Sequence, residues 1–368
     1  MFDTLREIIL ESPATYVSVG GFLIGMIFGY VVFRTNFCTM GSISDILSFG
    51  DYRRFRAWLL AAVVAIAGAQ FLHIMGAVDL SASMYLQPSI SWVGNVLGGV
   101  LFGFGMVFAG GCVSRNLARI GGGDMGSLIV LIVTGIFAFM AIGGLLGPLR
   151  ATITSIGQIN LEAFEVSNQG LDAILTALAG TTGYTMKVLI SGAFILAISF
   201  YCFSDQQFRS SKTHLIAGFG IGLCVVAGWV LTGLAFDELA ETPAPPVSLT
   251  YVRPAGDALE YLTRFTAFGA PGFGVVTVFG AIAGSFLAAI SMGRFKLTTF
   301  VDVKDTIRNL GGAALMGVGG VMALGCTVGQ ALTGFSTLAV GSMITFIFII
   351  VGGVAGVKYM EWRIMSEV

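Results

Sequence analysis

The sequence is poor in charge. Of its 368 residues, 11% are Asp, Glu, Lys or Arg and 56% are hydrophobic. A soluble domain carries about 25% charged residues, so this chain lacks the charge to coat itself against water. Histidine occurs only twice, as His73 and His214, and the five cysteines contain no C-x-x-C pair. That leaves no spacing suited to a metal, and none is expected. An odd number of cysteines, mostly in apolar surroundings, also argues against a disulfide scaffold. There is no Walker A loop, no G-x-G-x-x-G between a strand and a helix, and no Ser/His/Asp set. ATP hydrolysis, dinucleotide binding and triad hydrolysis therefore have no carrier, and no cofactor is expected. A net charge of −1 implies no nucleic-acid partner. No Asp/Glu relay stands out within the apolar runs, so proton coupling has no visible carrier. The N-terminus, MFDTLREIILESPAT, lacks the basic region of a signal peptide. The first apolar run reads as a retained span.

What the chain has instead is long apolar runs, each sufficient to cross a bilayer. Nine are predicted, at about 16–33, 57–78, 92–110, 125–147, 186–203, 214–235, 272–292, 308–325 and 337–358. The runs are continuous rather than alternating, which disfavours an outer-membrane barrel. The fold class is all-α: a polytopic membrane protein, 1–368 as one membrane domain in contact with lipid. Three segments interrupt the spans. Residues 34–56 are short and mixed. Residues 148–185 are semi-polar and include LDAILTALAG, read as an amphipathic or re-entrant helix. Residues 236–271 contain ETPAPP and read as an exposed loop. Glycine makes up 52 residues. The spacings Gly21-Gly25-Gly29, Gly99-Gly103 and Gly280-Gly284 predict close helix packing.

One stretch occurs twice. NVLGGVLFGFGMVFAGGC at 95–112 and NLGGAALMGVGGVMALGC at 309–326 share nine of eighteen positions, among them the terminal Gly111-Cys112 and Gly325-Cys326. With nine spans, five Lys or Arg fall on the side of the N-terminus and fourteen on the other. The positive-inside rule then puts the N-terminus outside and the C-terminus in the cytoplasm. The two Gly-Cys spans are the third and eighth, so they cross in opposite directions. The expected organisation is an inverted repeat, 16–147 against 214–358, with a connecting segment at 148–213. Such repeats put substrate sites near the midplane. Gly21-Phe22-x-Ile24-Gly25 is echoed by Gly218-Phe219-x-Ile221-Gly222. By that echo the counterpart of Cys38 is Ala235, so Cys38 is a thiol without a repeat partner.

The Gly-Cys sequences predict broken helices that restart at the cysteine. Cys112 is followed by Ser114, Arg115 and Asn116, Cys326 by Thr327 and Gln330, and Cys38 by Thr39, Met40 and Gly41. A restarting helix points free N–H groups and a positive dipole end at the region of the sulfur, an arrangement that binds anions. Cys112 and Cys326 are therefore candidate binding residues, while residue type and position leave Cys38 open. Cys202 and Cys224 read as packing residues. His73 reads as a hydrogen-bonded structural residue. Arg53, Arg54 and Arg56 read as topology anchors, Arg115 and Arg119 as cations at the inner mouth, and Asp45 and Asp124 as helix-positioning groups.

The motifs NFCTMGSISD at 36–45, AGGCVSRNLARIGGGDMGS at 109–127, IAGSFLAA at 282–289 and ALGCTVGQALTG at 323–334 resemble those of the YeeE/YedE sulfur-transport family of bacterial inner-membrane proteins. Together with span order, the resemblance covers most of the chain. It implies uptake of thiosulfate or a related small sulfur anion across the inner membrane, without enzymatic turnover. It implies an hourglass of two inverted halves with short helices dipping to the middle. It implies that Cys38, Cys112 and Cys326 pass the anion along by S–H contacts. From the residues of the three turns themselves, Thr39, Gly41, Gly111, Ser114, Arg115, Gly325, Thr327 and Gln330 are expected to support them. It also implies a small sulfur carrier protein as a cytoplasmic partner. Three alternatives stay open: a membrane thiol oxidoreductase or sulfur transferase forming a cysteine persulfide, a transporter of a selenium species, and a non-sulfur channel with packed cysteines.

Overall fold

The structure, a computed structural model, describes residues 2–180, 183–240 and 243–366. It is all-α apart from one two-residue strand pair. A short helix α1 (Phe2–Glu11) precedes the first long helix, α2 (Pro13–Thr35). There follow α3 (Thr39–Phe49), α4 (Arg53–Ile74), α5 (Trp92–Phe108), α6 (Val113–Gly121) and α7 (Met125–Ile142). The middle of the chain forms α8 (Gly147–Ser155), α9 (Leu171–Ala179), α10 (Gly183–Phe203) and α11 (Gln206–Ser210). The last part forms α12 (Lys212–Leu234), α13 (Val252–Thr263), α14 (Phe273–Ser291), α15 (Val303–Met322), a π-helical segment (Gly329–Gly334) and α16 (Val340–Ser366).

Among the described residues, eight helical stretches are long and apolar enough to cross a membrane, with α2–α3 and α5–α6 each taken as one stretch. The expected span at 308–325 is α15. Its 20 residues rise about 30 Å, a bilayer's hydrocarbon thickness, but Lys304, Asp305 and Arg308 in its first turns lower its apolarity. The LDAILTALAG stretch is helical as anticipated, forming α9.

The segment 236–271 departs from expectation. It contains α13, and its residues Ser248, Leu249 and Tyr251 are fully buried. Apolar content alone does not reveal this, because the segment is polar. What lets it lie inside is local hydrogen bonding. Thr232 donates to Val247 O at 2.6 Å and accepts from Val247 N at 3.1 Å. Ser248 donates to Val225 O at 2.6 Å, and Thr333 donates to Leu249 O at 2.7 Å. Irregular backbone survives at membrane depth only where the protein satisfies it in this way.

Helix packing repeats with exchanged partners. α2 packs on α14 as α12 packs on α4, and α5 packs on α16 as α15 packs on α7. Within these pairs the predicted glycine seams meet. A Cβ on Gly25 would lie 2.5 Å from Thr277 O, and one on Gly103 would lie 2.8 Å from Gly353 N. The duplicated helices α5 and α15 cross each other at the centre. A Cβ on Gly98 would lie 2.7 Å from Gly319 O, and one on Gly105 would lie 2.7 Å from Gly312 O. In the sequence duplication Gly98 corresponds to Gly312 and Gly105 to Gly319. The crossing therefore pairs early with late positions, so α5 and α15 run antiparallel. Real Cβ atoms do not approach backbone this closely, and the contact requires glycine.

In element order, the short helix after α2 is α3 and the short helix after α12 is α13. Their N-caps are Cys38 and Tyr251. Tyr251 thus caps the short helix that follows α12 as Cys38 caps the one that follows α2, whereas Ala235 directly ends α12. The connection between α12 and α13 is longer than that between α2 and α3.

Candidate functional site: three thiols at helix starts

Each of the three predicted cysteines stands at the start of a short helix. Cys38 is the N-cap of α3 and Cys112 that of α6, while Cys326 directly precedes the helix that becomes the π segment. All three are buried and free. The Cys38 sulfur accepts from Gly41 N at 3.4 Å, and the Cys326 sulfur accepts from Gly329 N at 3.4 Å. Each thus caps its own helix with sulfur in the role usually taken by a Ser or Asp oxygen. Cys112 differs. Its sulfur lies 3.2 Å from Ser114 Oγ.

The turns that deliver Cys112 and Cys326 are built alike. After α5 the chain reverses through Gly110 at φ 70° and Gly111 at φ 141°, a left-handed bend that glycine permits without strain. After α15 the equivalent bend puts Leu324 at φ 58°. A leucine there costs about 1 kcal/mol. An amide four residues beyond each cysteine then ties the turn down. Asn116 Nδ2 donates to Gly111 O at 2.9 Å and Cys112 O at 3.2 Å, and approaches Ala109 O at 3.4 Å. Gln330 Nε2 donates to Ala323 O, the position matching Ala109. Gln330 was among the expected supporting residues and Asn116 was not. Its matching offset from the cysteine was the available signal.

The three thiols converge. Cys38 and Cys112 lie within electrostatic range of one another, and Cys112 is in the same range of Cys326 and close to Thr327. Around Cys326 lie Thr250, whose Oγ1 is 4.0 Å from the sulfur, and the fully buried Tyr85 and Tyr251. Thr250 and Tyr251 come from the segment read as an exposed loop and Tyr85 from between two predicted spans, and the sequence reading missed all three. Among the described residues, Thr39 Oγ1, Thr327 Oγ1 and Tyr251 Oη are buried without a hydrogen-bond partner in the protein, as are the carbonyl oxygens of the Asn116 and Gln330 side chains. A buried polar group without a partner costs about 1–3 kcal/mol. Several around three thiols suit a passage for a polar solute better than a core.

The supporting residues divide. Gly41 lies under the Arg54 guanidinium, which pairs with Asp45 at 3.3 Å. Arg54 is thus a neighbour of the Cys38 turn as well as an anchor. Arg119 pairs with Asp124 at 2.5 Å and donates to Gly110 O at 3.1 Å, so its charge is answered. Asp124 also caps α7 through Gly126 N and Ser127 N. Arg115 is half-buried within electrostatic range of Cys38 and Cys112, and no carboxylate among the described residues pairs with it. Gly325 precedes the Cys326 turn and packs on Gln330. Of the other cysteines, Cys202 is buried with its sulfur 3.5 Å from Arg56 O, and Cys224 lies buried in α12. His73 Nδ1 lies 3.2 Å from both Val78 O and Leu80 N, a structural role. Among the described residues, no cluster of His, Cys, Asp and Glu is suited to a metal.

Comparison with known families settles the membership. Residues 34–355 match the family described as "Sulphur transport". This chain belongs to the sulphur transport family. Relatives within it include the thiosulfate transporter TsuA of Escherichia coli K12, 29% identical over 349 residues, 91% of this chain and 92% of the relative. The thiosulfate transporter TsuA of Spirochaeta thermophila is 26% identical over 353 residues, covering 90% and 96%. The probable transporter YedE of Escherichia coli K12 is 34% identical over 99 residues, covering 26% of this chain and 22% of that protein. All three cysteine turns of this sulphur transport protein fall within the matched region.

Proposed function

We propose that the protein carries thiosulfate, or a closely related small sulfur anion, across the bacterial inner membrane along Cys38, Cys112 and Cys326. The observation that carries this reading is the convergence of three free thiols at helix starts, beside hydroxyls that have no partner in the protein. An anion leaving water loses several kcal/mol of hydration or more. Helix-start N–H groups, thiol S–H donors and the Thr39 and Thr327 hydroxyls replace that hydration stepwise. No single contact is strong enough to trap the ion, as conduction requires. Arg115 draws the anion past the Cys38–Cys112 pair. Tyr251 contributes a hydroxyl in the second half where the first half contributes the Cys38 thiol.

In this reading the chain is one membrane domain of two inverted halves, 16–147 and 214–358, joined by 148–213. The exchanged packing of α2–α14 with α12–α4, and the antiparallel crossing of α5 with α15, support it. The N-terminus is periplasmic and the C-terminus cytoplasmic, where a small sulfur carrier protein meets the imported anion. The sulfur atoms act as hydrogen-bonding stations, with no covalent turnover.

The test is uptake of labelled thiosulfate by proteoliposomes containing the purified protein, against protein-free liposomes and with sulfate, sulfite and selenium analogues as competitors. The reading predicts saturable uptake that sulfur anions compete. Uptake no faster than in empty liposomes would refute it. Mass spectrometry after substrate exposure separates transport from persulfide formation, because a covalent sulfur adduct on a cysteine contradicts the stations proposed here.

A further inference from the structure

Two arginines among the described residues are half-buried and have no carboxylate partner. One is Arg115, beside Cys38 and Cys112. The other is Arg150, in α8, which the sequence reading did not assign. Its Nε is buried with no hydrogen-bond partner in the protein. An unpaired cation in a chain with so little charge is costly to keep out of water.

Arg150 stands between two cavities that both reach the Cys326 turn. The first, of about 350 Å³, is lined by Arg150 together with Asn95, Gln169, Ser342, Leu324 and Gln330. Arg150 is the one charged side chain among its lining residues. The remaining polar groups are amides and hydroxyls, which can donate to an anion without competing for the guanidinium. The second, of about 180 Å³, joins Arg150 to Gly325 and to Thr250, whose hydroxyl is 4.0 Å from the Cys326 sulfur. The buried Gln330 side-chain oxygen has no partner, while its nitrogen is committed to Ala323 O.

The rim is fixed rather than loose. The strand pair Ser89–Ile90 with Ile159–Asn160 ties the chain after α8 to the start of α5. Gln169 accepts from Val340 N at 3.0 Å through its carbonyl and from Gly341 N at 3.1 Å through its side chain. A preorganised cavity with a single unpaired cation at its wall is built to select a small anion.

We infer that Arg150 is the capture residue of the vestibule on the Cys326 side, binding the oxygens of a small tetrahedral oxyanion before it reaches the Cys326 turn. The inference rests on the transport reading and adds an entry site to it. Arg150 and Arg115 then flank the thiols, one at each approach. The guanidinium offers paired donors that match two oxygens of a sulfonate-like group. A lysine in its place retains charge but not that fork.

The experiment compares wild type, Arg150→Gln and Arg150→Lys in proteoliposomes, measuring initial thiosulfate uptake against concentration at low and high salt. Arg150→Gln is expected to raise KM about tenfold or more, the scale of one charge-assisted hydrogen bond, while maximal uptake changes less than about threefold. Arg150→Lys recovers part of the loss. The salt dependence of KM flattens in Arg150→Gln, because the steering charge is gone. A merely structural arginine gives a different pattern: lower maximal uptake and melting temperature at unchanged KM. That pattern, or wild-type KM in Arg150→Gln, overturns the inference while leaving the transport reading intact. Failure of the wild type to take up thiosulfate at all overturns both.

Discussion

Removing the Asn116 amide is the sharpest local test of how the Cys112 station is held. This side chain is 1% exposed, and its one nitrogen serves Gly111 O at 2.9 Å and Cys112 O at 3.2 Å, with Ala109 O at 3.4 Å. Ala109 O and Gly111 O belong to the end of α5 and the reversal after it, where the helix supplies no donors, whereas Cys112 O also accepts from Asn116 N at 3.0 Å. Asn116→Ala withdraws the shared donor from a site that water does not freely reach. Orphaning one buried carbonyl costs about 1–3 kcal/mol. The remaining two bonds are long and add little, so about 2 kcal/mol is expected. At roughly 2–4 °C per kcal/mol for chains of 150–250 residues, the melting temperature in detergent falls by several degrees. Maximal thiosulfate uptake falls by more than stability alone explains, because the Cys112 sulfur is displaced from Ser114 and from its neighbours. Asn116→Asp keeps the size but substitutes an acceptor for the donor, and it sets a carboxylate against three carbonyls and the anion path. It is expected to be worse than alanine. Both variants melting and transporting like wild type would refute the claim that this amide holds the turn.

Three further expectations concern other parts of the fold. Gly319→Ala sets a Cβ about 2.6 Å from Phe102 N. The overpacking cost of about 1–3 kcal/mol exceeds the roughly 0.5–1 kcal/mol that alanine gains in a helix, so melting temperature and uptake both fall; a stabilised, active variant would contradict the crossing. Arg115→Gln removes the cation facing Cys38 and Cys112, and uptake is expected to drop about tenfold or more, most at low salt; unchanged uptake at low salt would count against its role. Asp51, in the turn between α3 and α4, accepts from Arg53 Nη2 at 2.7 Å and Arg53 N at 2.9 Å, and the guanidinium holds its carboxyl down at about 2. A depressed carboxyl stabilises the fold above the unfolded value near 4 and loses that contribution as pH falls from about 4 to 2. Asp51→Asn should therefore melt lower than wild type at neutral pH, by about 1 kcal/mol after allowance for solvent screening. The gap should close in acid, and a gap that persisted there would contradict the ion pair.

The fold class was legible because a bilayer leaves a coarse mark: long apolar runs, little charge and glycine where helices touch. The cysteine turns were legible because they are short, distinctive and, for Cys112 and Cys326, duplicated. What escaped the sequence depends on relations that hydropathy does not carry. The stretch Val247–Tyr251 reads as a loop, yet Thr232, Ser248 and Thr333 satisfy its backbone and let it pass inside. Tyr251 then caps α13 from inside the protein. Arg115 and Arg119 look equivalent in sequence, but Asp124 answers only Arg119. Arg150 is one charge in a semi-polar segment, and only the cavities beside it give it meaning.

The most direct measurement is thiosulfate uptake by proteoliposomes of five single variants, Cys38→Ala, Cys112→Ala, Cys202→Ala, Cys224→Ala and Cys326→Ala, each matched to wild type in amount and melting temperature. The account predicts a loss of about tenfold or more for the variants at 38, 112 and 326, and uptake within about twofold of wild type for those at 202 and 224, since each station replaces a hydration contact worth about 1.5–3 kcal/mol. Undiminished uptake by Cys112→Ala and Cys326→Ala would contradict it.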